Sequence, residues 1–193
     1  MHARSGERWS RPVQWLHWIS LLAILAVAIM GLVMTDLPRG TPLRTFFYAT
    51  HKSIGITVLA LGLLRLLSRM FTRAPPRMEG PRWQQRLAST HHALLYVLLL
   101  AMPLSGWLLN SVAGQPLKWF GLFALPALTE KNGDLRAFAD GAHTWMFWTL
   151  TFMVSVHLLA ALHHHWIRKD GVLARIWPFG RRTPADSIPS DHA

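Results

Sequence analysis

Four long apolar runs constrain this chain more than any other feature of its sequence. They cover approximately residues 12–34, 47–70, 89–112 and 142–166. A helix needs about 20 residues to cross roughly 30 Å of hydrocarbon, and each run is that long. Inside a bilayer the backbone has to satisfy its own hydrogen bonds, which a helix does. We therefore predict an all-α integral membrane protein that folds as a bundle of four transmembrane helices.

The segments outside these runs predict no second folded domain. Residues 1–178 are interpreted as one transmembrane domain, in which the Pro-containing link after the second run is a basic loop. The loop of about residues 113–141 contains an aromatic, amphipathic stretch at 118–123, which is typical of an element in the membrane interface. Residues 179–193 are rich in Pro, Ser and Asp, and we expect them to form a disordered cytoplasmic tail.

The basic residues predict the orientation of the bundle. Of the 20 Lys and Arg residues, 14 fall on one side and 5 on the other, with Lys52 just inside the second helix. Because loops rich in Lys and Arg stay in the cytoplasm, both termini are predicted to be cytoplasmic. The net charge of +11 then reflects orientation in a bacterial inner membrane and not nucleic-acid binding. The first group is Arg4, Arg8, Arg11, Arg65, Arg69, Arg73, Arg77, Arg82, Arg86, Arg168, Lys169, Arg175, Arg181 and Arg182, and the second is Arg39, Arg44, Lys118, Lys131 and Arg136.

Histidines inside the apolar runs are the candidate functional residues, since ionisable groups in membrane spans are costly and usually functional. The chain has no cysteine, which excludes thiolate-bound metals, iron–sulfur clusters and covalently attached haem. His17 lies near the cytoplasmic start of the first helix, and His51 and His143 lie near the periplasmic starts of the second and fourth. His157 follows His143 by 14 residues, which returns to nearly the same helix face about 21 Å deeper. The histidines therefore occur at two depths, as two stacked bis-histidine haem sites require.

The sequence predicts the pairing of histidines more firmly at the outer depth than at the inner depth. At the outer depth the other intramembrane histidine is His51, which is therefore expected to face His143. At the inner depth His157 has several candidate partners, of which we favour His17, because the first helix would then pack beside the fourth much as the second does. The other candidates are His91, His92, His163, His164 and His165. A lone histidine in a membrane is as often a hydrogen-bonded polar residue as a ligand, but four at matched depths favour haem.

Glycines near these histidines favour a flat macrocycle over a bare metal ion. A glycine allows a porphyrin to approach the helix backbone, although small residues also serve plain helix packing. Gly31 lies 14 residues after His17, on the same face and at the outer depth. Arginines at the inner depth are candidates to pair with haem propionates. The residues that share the face of His51 on the second helix are Gly55, Gly62, Arg65 and Arg69.

Several stretches also resemble a known family. They are Gln14-Trp15-Leu16-His17-Trp18, His51-Lys52-Ser53-Ile54-Gly55, Leu64-Arg65, His91-His92-Ala93-Leu94-Leu95-Tyr96, Met102-Pro103-Leu104-Ser105-Gly106-Trp107, and His157 followed by His164-His165 and Lys169-Asp170-Gly171-Val172-Leu173. Over roughly residues 8–178 the chain resembles the prokaryotic cytochrome b-561 family of four-helix, di-haem membrane cytochromes. The His-Lys-Ser-x-Gly and Asp-Gly-Val-Leu elements in this order are fairly specific for it.

The resemblance implies two non-covalent haem b groups. It implies His17 and His157 as axial ligands of the inner haem, and His51 and His143 as ligands of the outer haem. Within the family the chain is most similar to the short bacterial form, a superoxide oxidase that acts as a superoxide:ubiquinone oxidoreductase. Superoxide would then be steered to the outer face by Lys52, Arg39, Arg44, Lys118 and Lys131. Ubiquinone would be reduced near the inner end, where Arg65, His164, His165 and Trp166 are the candidate lining.

Two other functions are compatible with the same residues. The protein would be an electron-transfer subunit if a periplasmic dehydrogenase or hydrogenase supplied its electrons to the quinone pool; such a redox protein would then be its partner. It would be a haem-free membrane protein if its histidines only formed hydrogen bonds. The absorption spectrum of the purified protein separates the haem-free case from the other two.

Overall fold

The structure, a computed structural model, describes residues 8–72, 74–76 and 80–179. The predicted disordered tail lies outside these residues, apart from Phe179 at its start. Five of the cations used to predict the orientation also lie outside them, namely Arg4, Arg73, Arg77, Arg181 and Arg182.

Four long helices account for most of the described chain. They are α1 (Arg11–Asp36), α2 (Pro42–Phe71), α3 (Arg82–Val112) and α4 (Gly133–His163). A two-stranded antiparallel sheet of β1 (Leu117–Trp119) and β2 (Phe123–Leu125) lies between α3 and α4. A π-helical turn (His164–Arg168) extends α4, and a short helix, α5 (Val172–Ile176), follows it. The predicted all-α membrane fold is confirmed, with a small hairpin added to it.

Three helices begin five or more residues before their apolar runs, and in α2 and α4 a capping side chain marks the earlier start. Thr41 accepts a hydrogen bond from the Arg44 N–H, and Pro42 occupies the first turn of α2. Asn132 accepts from the N–H groups of Asp134 and Leu135 at the start of α4. The helix α3 begins at Arg82. Arg82 and Arg86, expected in a basic loop, are therefore in the first turns of α3.

The surface of the bundle requires a membrane. Each long helix is long and apolar enough to cross a bilayer, yet at most 11 % of its most apolar stretch of 18 residues is buried inside the protein. Leu22, Ile29 and Leu159 are more than 60 % exposed. Exposed apolar surface of this extent would be unfavourable in water and is favourable in lipid. The chain is therefore a multi-pass membrane protein.

The bundle is built from two helix pairs. The helix α1 packs on α2, and α3 packs on α4, while α2 and α3 join the two pairs. Among the described residues, α4 has no comparable backbone contact with α1 or α2. The first and fourth helices were expected to pack side by side; they instead approach each other through their histidine rings. Within the described chain, α4 meets α1 and α2 through the ring pairs His17–His157 and His51–His143.

The hairpin is fixed to α2 by a buried serine. Ser53 donates a hydrogen bond to the Ala49 or Lys118 carbonyl and accepts one from the Phe120 N–H. The indole of Trp119 adds a hydrogen bond to Thr57 Oγ1. The aromatic stretch predicted to be an interface element thus folds as a strand, a turn and part of a second strand. The hairpin therefore lies at about the level of His51 on α2, which is two residues from Ser53.

Candidate functional site

At one end of the bundle, the histidines of α2 and α4 face each other. The ring centres of His51 and His143 are 6.5 Å apart, and the rings are inclined at 80°. A metal–imidazole bond is about 2 Å long and the ring centre lies roughly 1 Å behind the nitrogen, so two trans ligands have ring centres about 6 Å apart. The separation therefore suits one metal atom between the rings.

A carbonyl of α1 sets the tautomer of His51. Nδ1 of His51 lies 2.9 Å from the carbonyl oxygen of Val27, which can only accept a hydrogen bond. Nδ1 must therefore carry the proton. The lone pair of the ring is left on Nε2, the nitrogen that a metal would bind, in the arrangement that metal-ligating histidines usually show.

Ser105 sets the tautomer of His143 in the same way. Its hydroxyl oxygen is 2.7 Å from the Met102 carbonyl and 2.8 Å from Nδ1 of His143. In this arrangement the hydroxyl gives its one proton to the Met102 carbonyl, and its oxygen then accepts from Nδ1–H of the histidine. His143 therefore also leaves the lone pair on Nε2. Ser105 was quoted in the sequence motif but was not predicted as a site residue.

A glycine of the neighbouring helix lies against each of these two rings. A Cβ atom on Gly31 of α1 would be 3.0 Å from Cε1 of His51, and one on Gly106 of α3 would be 3.0 Å from Cε1 of His143. These distances are shorter than ordinary contacts, so a larger residue would displace the ring. Gly31 was predicted at this depth. Gly106 was missed, although a glycine next to a serine in an apolar run, three residues after Pro103, was the available signal.

At the other end, which carries most of the basic residues, four histidines cluster. The ring centre of His157 is 6.2 Å from that of His17, 6.0 Å from that of His91 and 5.3 Å from that of His92. The Nε2 atom of His91 is buried and has no hydrogen-bond partner among the residues that the structure describes. Two of the alternative partners of His157 therefore lie as close to it as His17 does. His163, His164 and His165 are not among the ring contacts found for His157 in the described chain.

Arg65 holds His17 in the other tautomer. Its Nη2 lies 3.1 Å from Nδ1 of His17, and because a guanidinium only donates, Nδ1 has to accept. The proton of His17 is then on Nε2. For His17 to bind a metal through Nε2, Arg65 has to release Nδ1 and the proton has to move. The inner site is thus less prepared for a ligand than the outer site.

The other residues predicted on the face of His51 have separate surroundings. Arg69 lies over the ring of Trp9, with its guanidinium carbon 5.3 Å from the ring centre. A Cβ on Gly62 would be 3.0 Å from a methyl group of Leu100, so Gly62 allows α2 and α3 to approach. A Cβ on Gly55 would meet nothing within 4 Å. Gly55 thus borders open space, whereas Gly62 serves helix packing.

The residues predicted to line a quinone site are divided among three places. Arg65 points to His17, as described above. His164 is hydrogen-bonded through Nδ1 to Asp170, while Trp166 is largely exposed. His165 faces a cavity of about 510 Å³ that His164 and Trp166 do not line.

Asp170 is ionised more readily than an ordinary aspartate. Its partial burial opposes ionisation, but the hydrogen bonds from His164 and the Val172 N–H, with the charges of His164 and Arg168, outweigh this effect and lower its pKa. Asp170 therefore joins the π-helical turn to the start of α5 as a carboxylate.

Lys52 lies beside the outer histidines. Its ammonium group donates to Oε1 of Gln115, 3.1 Å away, in the segment before β1. Arg44, another of the five cations predicted to steer an anion, donates to the Leu37 carbonyl and lies over the ring of Tyr48. These two cations are therefore held in place by partners.

The residues at the outer end fit a haem. Two imidazoles face each other with both Nδ1 atoms engaged in hydrogen bonds, and a glycine lies against each ring. The described residues contain no group of three or more His, Cys, Asp or Glu that could hold a bare metal ion. A planar group that brings its own equatorial ligands needs only two protein ligands, which is what this end of the bundle offers.

Comparison with known proteins agrees with this geometry. The family model described as prokaryotic cytochrome b561 matches residues 8–179. The chain is 32% identical over 161 residues to "Cytochrome b561 homolog 2" of Escherichia coli (strain K12), covering 83% of this chain and 86% of that protein. It is 31% identical to "Cytochrome b561 homolog 1" of the same organism, covering 89% and 98%. It is 29% identical over 168 residues to "Probable superoxide oxidase CybB" of Yersinia pestis, covering 84% and 92%.

The family match extends over nearly all of the described chain and includes all four histidines of the two facing pairs. The four long apolar helices are consistent with the bundle of that family. Such proteins bind haem b and transfer electrons in the membrane. The chain belongs to the prokaryotic cytochrome b561 family of membrane electron-transfer proteins.

Proposed function

We propose that the protein is a single-domain, di-haem cytochrome of the bacterial inner membrane. His51 and His143 would hold the outer haem, and His17 and His157 would hold the inner haem. The observation that carries this proposal is the pairing of rings at both ends of α4, each with a histidine of α1 or α2. His143 and His157 are 14 residues apart, which separates the two sites by about 21 Å along the helix.

The chain's own groups hold the ligands and tune them. Val27 and Ser105 keep the Nδ1 protons of the outer histidines engaged, so that Nε2 remains available as a ligand atom. Gly31 and Gly106 leave the space in which those rings sit. Arg65 and Arg69 are the residues we assign to the propionates of the inner haem, with Gly55 as a packing contact. When bound, haem b supplies a reversible one-electron couple of its iron.

The proposed reaction oxidises superoxide at the outer end and reduces ubiquinone at the inner end. Two superoxide anions release two electrons and become two molecules of oxygen, and one ubiquinone takes both electrons and two protons to become ubiquinol. The support is the similarity to the Yersinia protein, together with the cations at the outer end. Lys52 is the cation nearest in sequence to an outer ligand, and we assign it the steering of the anion.

Ubiquinone is proposed to bind at the cation-rich end, close to His157. His164 follows His157 by seven residues and therefore continues the same face about 10 Å further along the helix. We keep His164 and Trp166 as the lining of the quinone site. His165, which faces a different cavity, is left out of it, and so is Arg65, which has to release His17 when haem binds and is assigned to the propionates instead.

Stopped-flow spectroscopy of the haem-loaded protein tests this function. Mixing the oxidised protein with superoxide is expected to reduce its haem rapidly, and a short-chain ubiquinone added next is expected to reoxidise it. Dithionite serves as the control that the haem is reducible. A protein that dithionite reduces but superoxide does not would disprove superoxide oxidation while leaving the di-haem assignment intact.

A second candidate is an electron-transfer subunit that receives electrons from a periplasmic dehydrogenase or hydrogenase. The observation that favours it is the exposed apolar turn of the hairpin, where Phe120, Leu122 and Phe123 are each more than half exposed beside the outer end. Such a surface suits a protein partner. Copurification of a redox protein that is lost on Leu122→Ser would favour this candidate over the first.

A further inference from the structure

A histidine and a carboxylate are paired at the end of the bundle where we place the reduction of ubiquinone, a reaction that consumes two protons. His164 is the first residue of the π-helical turn, and its Nδ1 atom is hydrogen-bonded to Oδ2 of Asp170. The imidazole is 30% exposed and the carboxylate 22%. Both side chains are thus open to water and to a ligand, while their own hydrogen bond holds them in place.

The chain reverses its direction to form this pair. Residues six apart on a regular helix are about 240° apart around its axis, so Asp170 would not reach His164 if the helix continued. The π-helical turn ends at Arg168, and Lys169 and Gly171 have left-handed backbone angles, with φ of 50° and 76°. A lysine rarely adopts this conformation, and π-helical turns are frequent at functional sites. A disfavoured residue thus immediately precedes the carboxylate that returns to His164.

The carboxylate is held at both of its oxygen atoms. Oδ2 accepts from His164, and Oδ1 accepts from the Val172 N–H, 3.3 Å away at the start of α5. Burial opposes ionisation, but these hydrogen bonds and the charges of His164 and Arg168 outweigh it and lower the pKa of Asp170. Over residues 164–176, Asp170 is the one acidic residue. It is therefore the carboxylate that this part of the chain offers to His164.

The hydrogen bond with Asp170 sets the tautomer of His164. An ionised carboxylate only accepts, so Nδ1 of His164 carries a proton, and Nε2 is the ring nitrogen left to exchange a proton with water or with a ligand. An imidazole held in this way can take a proton at Nε2 and give it up again. The carboxylate compensates the positive charge of the ring between these two events.

From this arrangement we propose that His164, positioned by Asp170, donates a proton to ubiquinone during its reduction. The inference rests on the proposed function. Water at the cation-rich end protonates Nε2, and the Nε2–H bond then breaks as an O–H bond forms on the quinone oxygen that faces the ring. The opposite oxygen takes the second proton from water, and two superoxide anions supply the two electrons. Asp170 does not touch the quinone and is a positioning residue, because it fixes the ring and its tautomer.

Stopped-flow oxidation of the reduced, haem-loaded protein by a short-chain ubiquinone tests the proposal. His164→Gln is expected to lower the limiting rate about 100-fold, the usual contribution of a general acid. Asp170→Asn is expected to lower it at least about tenfold and to change the half-saturating quinone concentration less than about threefold, because proton donation and not binding is impaired. The matched controls are His165→Gln and Asp134→Asn, which make the same chemical changes outside the pair and are expected to react like the wild type.

Ferricyanide separates proton transfer from electron transfer, because it takes up an electron without a proton. It is expected to oxidise the wild type and all variants at the same rate. Imidazole added to the buffer is expected to accelerate His164→Ala with ubiquinone and not with ferricyanide, since it replaces the missing proton donor. An unchanged haem spectrum verifies that each variant is folded.

The outcomes distinguish this inference from the function on which it rests. A wild type that ubiquinone does not reoxidise would overturn the proposed function and the proton donor with it. If the wild type is reoxidised, unchanged limiting rates in His164→Gln and Asp170→Asn would overturn the proton donor alone. A higher half-saturating concentration at an unchanged limiting rate would make the pair a binding contact, also against the proposal. Equal slowing with ferricyanide would show a defect in electron transfer and overturn it too.

Discussion

The hydroxyl of Ser105 gives its proton to the Met102 carbonyl and accepts the Nδ1 proton of His143, 2.8 Å away. One side chain of α3 thereby determines which nitrogen of a histidine on α4 is free to bind a metal. The same role on the other side of the outer site belongs to the Val27 carbonyl, which engages His51.

Ser105→Ala is expected to weaken binding of the outer haem by about 10- to 100-fold, the usual cost of removing a partner of a metal-ligating histidine. The imidazole of His143 would lose the acceptor that orients it and selects its tautomer. Haem titration of the haem-free protein, followed by absorption, measures this. Ser155→Ala, which removes an exposed hydroxyl bonded to the Thr151 carbonyl on α4, is the control and should bind two haems normally.

Single substitutions of the histidines test the ligand assignment. His51→Ala and His143→Ala are each expected to lower the content of the outer haem, and His17→Ala and His157→Ala that of the inner haem, because each variant removes one of the two protein ligands that we assign to that haem. The haem content, by pyridine haemochrome, and the reduced spectrum provide the count.

Substitutions of His91 and His92, the alternative partners of His157, test whether His17 is the second ligand of the inner haem. His91→Ala and His92→Ala are expected to retain two haems. Loss of the inner haem in His91→Ala or His92→Ala, with two haems retained in His17→Ala, would mean that α3 and not α1 supplies the partner of His157.

Two glycines with open space around them are expected to behave differently. Gly55→Ala should lower haem content, because its added methyl group would enter the space that we assign to the haem. Gly141→Ala, also helical and also without neighbours within 4 Å of the new Cβ, should keep full haem content. Thermal unfolding checks that Gly141→Ala is folded, since replacing a helical glycine by alanine is expected to stabilise the protein by up to about 1 kcal/mol. Equal haem loss in both variants would remove Gly55 from the haem site.

Lys52→Gln is expected to slow reduction by superoxide about two- to fivefold at low ionic strength, because one cation near the outer site is lost. The difference from wild type should shrink as salt is added, since screening weakens the attraction over a Debye length. Stopped-flow rates at several salt concentrations measure both effects. Arg86→Gln, at the opposite end of the bundle, controls for net charge. A salt-independent defect in Lys52→Gln would indicate a structural role through Gln115 instead.

The interaction of Asp170 with His164 predicts a stability that depends on pH. The pKa of Asp170 is lower in the folded protein than its ordinary value, so the carboxylate stabilises the fold above the ordinary pKa. This contribution is lost as the pH falls through the lowered pKa. Asp170→Asn is therefore expected to reduce the free energy of unfolding by up to about 1 kcal/mol at pH 7, and to make little difference in strong acid. Thermal unfolding of the two proteins across the pH range tests this, with Glu130→Gln as the control.

The sequence by itself determined the four spans and the depths of the histidines. A transmembrane helix has one rise and one turn angle per residue, so the spacing of His143 and His157, or of His17 and Gly31, directly gives their relative depth and face. The expectation that His51 faces His143 followed from elimination, because the sequence places no other intramembrane histidine at that depth. The lengths of the helices were underestimated, because caps such as Thr41 and Asn132 start a helix in polar sequence that hydrophobicity does not mark.

Only the tertiary structure decided how the helices face one another. Three sets of contacts depend on which helices are neighbours and how they are rotated. They are the contacts of Ser105 and Gly106 with His143, those of His91 and His92 with His157, and the hydrogen bond between Arg65 and His17. The same holds for the separation of His165 from His164, which the π-helical turn directs to different partners. The periodicity of one helix gives the depth and the direction of each side chain, but it does not show which helix lies opposite. The hydrogen bonds that select a histidine tautomer are made between neighbouring helices, so only the tertiary structure reveals them.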